Sequence, residues 1–135
     1  MDEGNATRSQ QIARAASDFE RQRTGHAPKA VTVVLNEDTL VITLRGALSP
    51  AEKAVANSPA AAAQMQEFHR QLFGNACQPL RQEITRITGV EVREATTEVE
   101  TATGAVMQLF ATGTVVQVFL LARTVPGESW STPGH

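Results

Sequence analysis

Tyrosine is missing from this chain of 135 residues, tryptophan and cysteine occur once each, and aromatic residues make up 4% of it. The lone Cys77 excludes an intramolecular disulfide and fits a reducing compartment; among helical apolar neighbours it reads as a small core residue. An excess of either charge is also lacking, since 12 Lys+Arg against 14 Asp+Glu leave a net charge of −2. With no basic tail or stripe, that balance argues against nucleic acid as a partner. There is no long hydrophobic run. The longest, residues 115–122, is interrupted by Gln117 and falls far short of the roughly 20 residues of a spanning helix, so no direct membrane insertion is expected. The start, Met1-Asp2-Glu3-Gly4-Asn5, lacks the basic and apolar regions of a signal peptide. The expected location is therefore cytoplasmic, at a membrane only through a partner.

What is present reads as one domain, long enough to bury a core without disulfide or metal. Over residues 5–24, Ile12, Ala15, Ala16 and Phe19 recur at helical spacing while Arg8, Arg14, Arg21 and Arg23 take other positions, which predicts an amphipathic helix. Gly25 stands where a left-handed residue ends a helix, and Pro28 follows as a stop. The mixed Arg/Glu face of this helix is either solvated or a docking surface. Residues 31–35 and 39–45 are rich in β-branched side chains and flank Asn36-Glu37-Asp38, so they predict an antiparallel hairpin. Leu40, Ile42 and Leu44 share one face of it; Thr39, Val41, Thr43 and Arg45 share the more polar other.

Ser49-Pro50-Ala51-Glu52 is a capping box: serine as N-cap, proline at the first helical position, and a glutamate able to reach back to the Ser49 amide. Ser58-Pro59 repeats the cap and proline at the start of a longer helical stretch. There Met65, Phe68 and Leu72 form one stripe and Leu80, Ile84 and Ile87 another, with a break expected at 74–79 around Pro79. Thr88-Gly89 ends this stretch as Thr24-Gly25 ends the first. A strand follows from Val90 to about Val99. Next comes a near-exact tandem repeat, residues 102–110 and 111–119, read as two similar strands in a hairpin, either of which is able to take the central position. Residues 123–135 read as a disordered tail carrying an exposed Trp130, so the domain is placed at 1–122. The expected architecture is α+β: a helix, a β-hairpin, a broken long helix, then two or three C-terminal strands, with helices on one face of a mainly antiparallel sheet. The edges of such a sheet are a reason to expect a homodimer.

Candidate chemistry is sparse. His26, His69 and His135 fall in a loop, a helix and the tail with no metal-ligand spacing; Glu67 and His69 lie on different faces of their helix, and His69 reads as a surface or boundary residue. Ser49 has the context of a helix cap and lacks that of a nucleophile elbow. Glu52, Asp38 and Glu98 are carboxylates available for acid–base work, and capping alone accounts for Glu52. No catalytic residue, cofactor site or metal site is assigned. Lys29 and Lys53 are the only lysines and flank the hairpin, with Arg45 near its exit. Lys29, Arg45, Ser49, Glu52 and Lys53 are therefore the candidate contacts for an anion or a partner: either a small anion held by Lys29, Arg45, Lys53 and the amides at the Ser49 helix start, or solvated charges at strand ends.

Several blocks stand in a fixed order: Gly25-x-x-Pro28-Lys29 before the hairpin, Gly46-x-Leu48-Ser49-Pro50-Ala51-Glu52-Lys53 after it, Thr88-Gly89-Val90, and Thr101-x-Thr103-Gly104. In these the chain resembles the MpsC-like family, named for a sodium-translocating, membrane-potential-generating system, over about residues 19–110. The resemblance implies a small soluble accessory protein that accompanies membrane components of cation flux or inorganic-carbon uptake, with a membrane-transport protein as partner and no catalytic residues to carry over. Two features depart from the pattern: the second repeat copy extends past the family's usual last strand, and Phe73-Gly74-Asn75-Ala76 interrupts a helix that is usually more charged. The expected function is non-enzymatic; the alternative is a small-anion or metabolite binding domain.

Overall fold

The computed structural model describes residues 7–47, 59–99 and 114–133. Helix α1 (Arg8–Thr24) starts at Thr7, whose hydroxyl accepts the Gln10 amide, and stops at Gly25, left-handed at φ 77°. Helices α2 (Pro59–Ala76) and α3 (Gln78–Thr88) meet at the expected break, and Gly89 closes α3 at φ 76°. Strands β1 (Ala30–Arg45), β2 (Val92–Val99) and β3 (Val115–Ser131) form one antiparallel sheet in the order β1-β3-β2. The expected capping box at Ser49 and the first repeat copy lie outside the described residues, as does His135.

β1 is the expected hairpin. The Lys29 N–H donates to the Arg45 carbonyl at 2.8 Å, whereas sixteen residues drawn out straight hold their ends about 50 Å apart. The chain doubles back at Asn36-Glu37-Asp38, where Glu37 takes φ 58°. β3 wraps this tip. Its first half pairs Leu120 through Val115 with Thr39 through Leu44; Val125 sits against Glu37, and Glu128 through Ser131 pairs with Leu35 through Thr32. Thr32 is accordingly flanked on both sides, accepting from Arg45 Nη1 at 2.9 Å and from the Ser131 hydroxyl at 3.2 Å.

This corrects the C-terminus. Residues 123–131, expected as a disordered tail, are strand, and Trp130 is half-buried against the core. The hydropathy pattern misses them because an edge strand packed on one side keeps polar residues on its other face. In the second repeat copy both edges of 115–119 are taken, by β1 and by β2, so this copy holds the central position.

Among the described residues, α1, α2 and α3 cover one face. Val33, Leu35, Leu40, Ile42 and Leu44 of β1, with Phe119 and Leu121, meet Ile12, Ala16, Leu80 and Ile84 in the core, and Cys77 is buried there as expected. Phe73 is the hub: its ring lies 6.1 Å from Phe19, edge to face, and 5.9 Å from Phe119. Seating Phe73 there rotates α2 by about one residue from the sequence reading. Gln66, His69 and Phe73 face inward, while Phe68 of the expected stripe is 57% exposed. The other sheet face carries Val34, Val41, Val116, Val118 and Leu120, partly or largely open, beside Thr32 and Arg45.

Candidate functional site

The two candidate residues within the described region, Lys29 and Arg45, adjoin through their backbones, but their side chains part. Arg45 extends over the open sheet face to the Thr32 hydroxyl. Lys29 borders a groove of about 270 Å³ on the opposite, helical side, between α1 (Arg14, Ser17) and the edge strand (Trp130, Thr132). The expected grip of one anion by both cations is therefore not assembled. An antiparallel ladder turns alternate residues to opposite faces, and the end of the hairpin places these two on different sides. Ser49, Glu52 and Lys53 lie outside the described residues. The surroundings of Lys29 are close: His26 Nε2 meets the Gly46 carbonyl at 3.0 Å, and Gly46, at φ 65°, admits the Lys29 stem where a Cβ would come within 2.9 Å of Lys29 Cγ.

At the far end of the groove's edge strand, Glu128 accepts the Ser9 amide at 2.5 Å in the first turn of α1. A carboxylate there meets unpaired helix N–H groups and the positive end of the helix dipole. Burial pushes the Glu128 carboxyl up, but hydrogen bonds from the Ser9 side chain and backbone, with the charge of Arg8, outweigh it and hold it below the ordinary glutamate value. A depressed carboxylate contributes stability that is present above its unfolded value and is lost as pH falls through the folded one. Glu128→Gln is thus expected to cost about 1 kcal/mol at neutral pH and to flatten the acid limb of the stability curve, as read by urea unfolding between pH 3 and 7.

Below the aromatic hub the core turns polar. Arg23 stacks over Phe19 at 5.4 Å and is paired with Glu20; their side chains are 6% and 1% exposed. His69 stands one helical turn before Phe73 and Gln66 nearly another, both buried. Gln117 lies two residues before Phe119 on the same strand face, opposite Thr97, and both are buried. From the hub all these groups step in one direction. α1 runs from Glu128 beside the hairpin tip down to His26 at the hairpin's open end. β3 reaches that end at Val115, and α2 leads away from it into α3, whose Arg81 binds the Val92 carbonyl near Leu121.

The sequence reading missed this polar half. It took the Arg/Glu face of α1 as surface, His69 as a surface or boundary residue and Gln117 as an interruption of an apolar run. A signal was there for Glu20: with Ile12 and Ala16 it completes an i, i+4, i+8 row. Both amide atoms of Gln117 are without a partner among the described residues. A buried unpaired amide costs about 1–3 kcal/mol, so Gln117→Met, which keeps the shape, is expected to raise the melting temperature in calorimetry.

Among the described residues no group of three His, Cys, Asp or Glu side chains is placed to hold a metal, and no helix is long and apolar enough to cross a membrane. Comparison with known proteins matches residues 5–120 to the family model described as Na+-translocating membrane potential-generating system (MpsC). The match takes in the second repeat copy, beyond the 19–110 stretch and in place of the expected departure from the family. The chain is also 24% identical, over 100 residues, to a protein of Bacillus subtilis (strain 168) described as "Uncharacterized protein YbcI"; the alignment covers 74% of this chain and 81% of that one. No solved structure matches it.

Proposed function

The chain belongs to the MpsC family, and from that membership we propose that it is a non-enzymatic accessory or regulatory protein of a membrane cation-flux or inorganic-carbon uptake system. The observation that carries the reading is the family match over residues 5–120, whose description names a sodium-translocating, membrane-potential-generating system. The architecture is compatible with work by contact. Helices α1, α2 and α3 occupy one face of the sheet, and the other presents Val34, Val41, Val116, Val118 and Leu120; exposed apolar rows of this kind mark protein contacts when they are contiguous. In the same reading the outer edge of β2, unpaired among the described residues, joins two copies into a homodimer, which sedimentation of the purified protein reads directly.

The test is affinity capture from detergent-solubilised native membranes, together with growth of a deletion strain on limiting bicarbonate. Recovery of a transport component, with impaired growth restored by the intact gene, is the expected result. No transport component in the eluate and unimpaired growth would sink the proposal.

A further inference from the structure

We propose that the groove between α1 and the edge strand of β3 receives an acidic, extended peptide segment of a protein partner, which adds to the sheet along residues 129–131. This deepens the reading above, on which the partner's membership of a membrane system rests; the binding mode itself stands on geometry.

The backbone of the edge strand is half used. The Thr132 N–H donates to the Val31 carbonyl at 3.0 Å, and Val33 opposes Trp130 two residues earlier. Antiparallel ladders alternate, so Trp130 and Thr132 turn their backbone groups toward β1 while Ser129 and Ser131 turn theirs outward. Among the described residues nothing pairs with that outward edge. Pro126 and Pro133 bracket it, limiting an added strand to a short one.

Beside this edge lies the groove of about 270 Å³, with Trp130 half-buried in its wall. A strand added along Ser129 and Ser131 places alternate side chains on the helical side, over Trp130 and Thr132, where an aliphatic group packs against the indole. The charge of the groove selects the rest. The exposed Lys29 borders it, and no carboxylate lines it among the described residues, in a chain whose net charge is −2. That local inversion of sign favours carboxylates on the incoming segment.

Trp130 is the only tryptophan and tyrosine is absent, so intrinsic fluorescence reports on the groove without a label. The purified full chain is titrated with an acetylated, amidated peptide of alternating glutamate and valine, seven residues long. Parallel titrations use the lysine–valine counterpart, the acidic peptide with proline at its centre, and succinate. The expected result is a saturable blue shift of Trp130 emission with the acidic peptide alone, weakened at least about tenfold by Lys29→Glu and by Ser131→Pro, which removes an outward N–H. Circular dichroism checks that each variant is folded. Lys29→Glu alone decides the matter if Ser131→Pro does not fold, since Lys29 is exposed. No shift with the acidic peptide, an equal shift with the proline or lysine peptide or with succinate, or one indifferent to Lys29→Glu would overturn the proposal. Such a failure leaves the capture and growth results of the preceding section untouched.

Discussion

Replacing Arg23 by methionine is expected to lower the unfolding free energy by about 3–5 kcal/mol, the largest effect of any single substitution considered for this chain. The guanidinium has 6% side-chain exposure, and its partner Glu20 has 1%. Taking away one member leaves the other desolvated with nothing to offset its charge. The Glu20 carboxylate then stands buried above the sheet with Oε2 already lacking a partner among the described residues. The stacking of Arg23 on Phe19 at 5.4 Å is lost as well, adding about 0.5–1 kcal/mol. The double variant Glu20→Leu with Arg23→Met is expected to recover most of the loss or to exceed the parent, because desolvating an ion pair costs nearly as much as the pair returns. Urea midpoints of the parent, both single variants and the double variant close the cycle. A single-variant loss under about 1 kcal/mol, the ordinary value for an exposed pair, would mean that this pair is solvated.

Truncation after Ala122 is expected to leave a chain that does not fold cooperatively. The deletion removes the strand 128–131 that pairs with Leu35 through Thr32, the Val125 contact at the hairpin tip, the Glu128 carboxylate on α1 and the Trp130 ring. A fully buried tryptophan is worth about 3–5 kcal/mol; the half-buried Trp130 ring contributes less, but together with the lost ladder it is a large share of the roughly 5–15 kcal/mol that holds a typical domain together. The first arm of the hairpin would also become an open edge with Val31, Val33 and Leu35 facing a thinned core. Circular dichroism through thermal unfolding distinguishes the outcomes. A truncated chain melting within a few degrees of the full chain would show that residues 123–135 are the dispensable tail that composition alone suggests.

These two results concern the parts of the molecule least legible in its sequence. Local rules carried most helix ends: Gly25 for α1, Pro59 and Gly89 for the long helical stretch, and the hairpin over residues 30–45 were readable from caps, prolines and β-branched runs, whereas the Thr7 cap was not singled out in a helix expected from residue 5. Family membership was readable from the order of short blocks. Pairing beyond the neighbouring strand was not, because nothing local in Glu128-Ser129-Trp130-Ser131 announces that it returns beside Thr32. The orientation of α2 was not readable either. Its apolar residues suggest one face, while the fit of Phe73 between Phe19 and Phe119 selects another, drawing Gln66 and His69 inside. The candidate site shows the same division. Lys29 and Arg45 were placed correctly at the mouth of the hairpin, yet strand alternation sends their side chains to opposite faces, and the groove that Lys29 does border needs a strand assigned to the tail.

The proposed function makes the central claim that this protein serves a membrane-potential-generating system. Membrane potential, measured with a potentiometric dye in sodium medium, tests it most directly in a strain deleted for the gene and in the same strain carrying the gene again. The account predicts a lowered potential on deletion and its return on complementation; an identical potential in the deleted and complemented strains would contradict it.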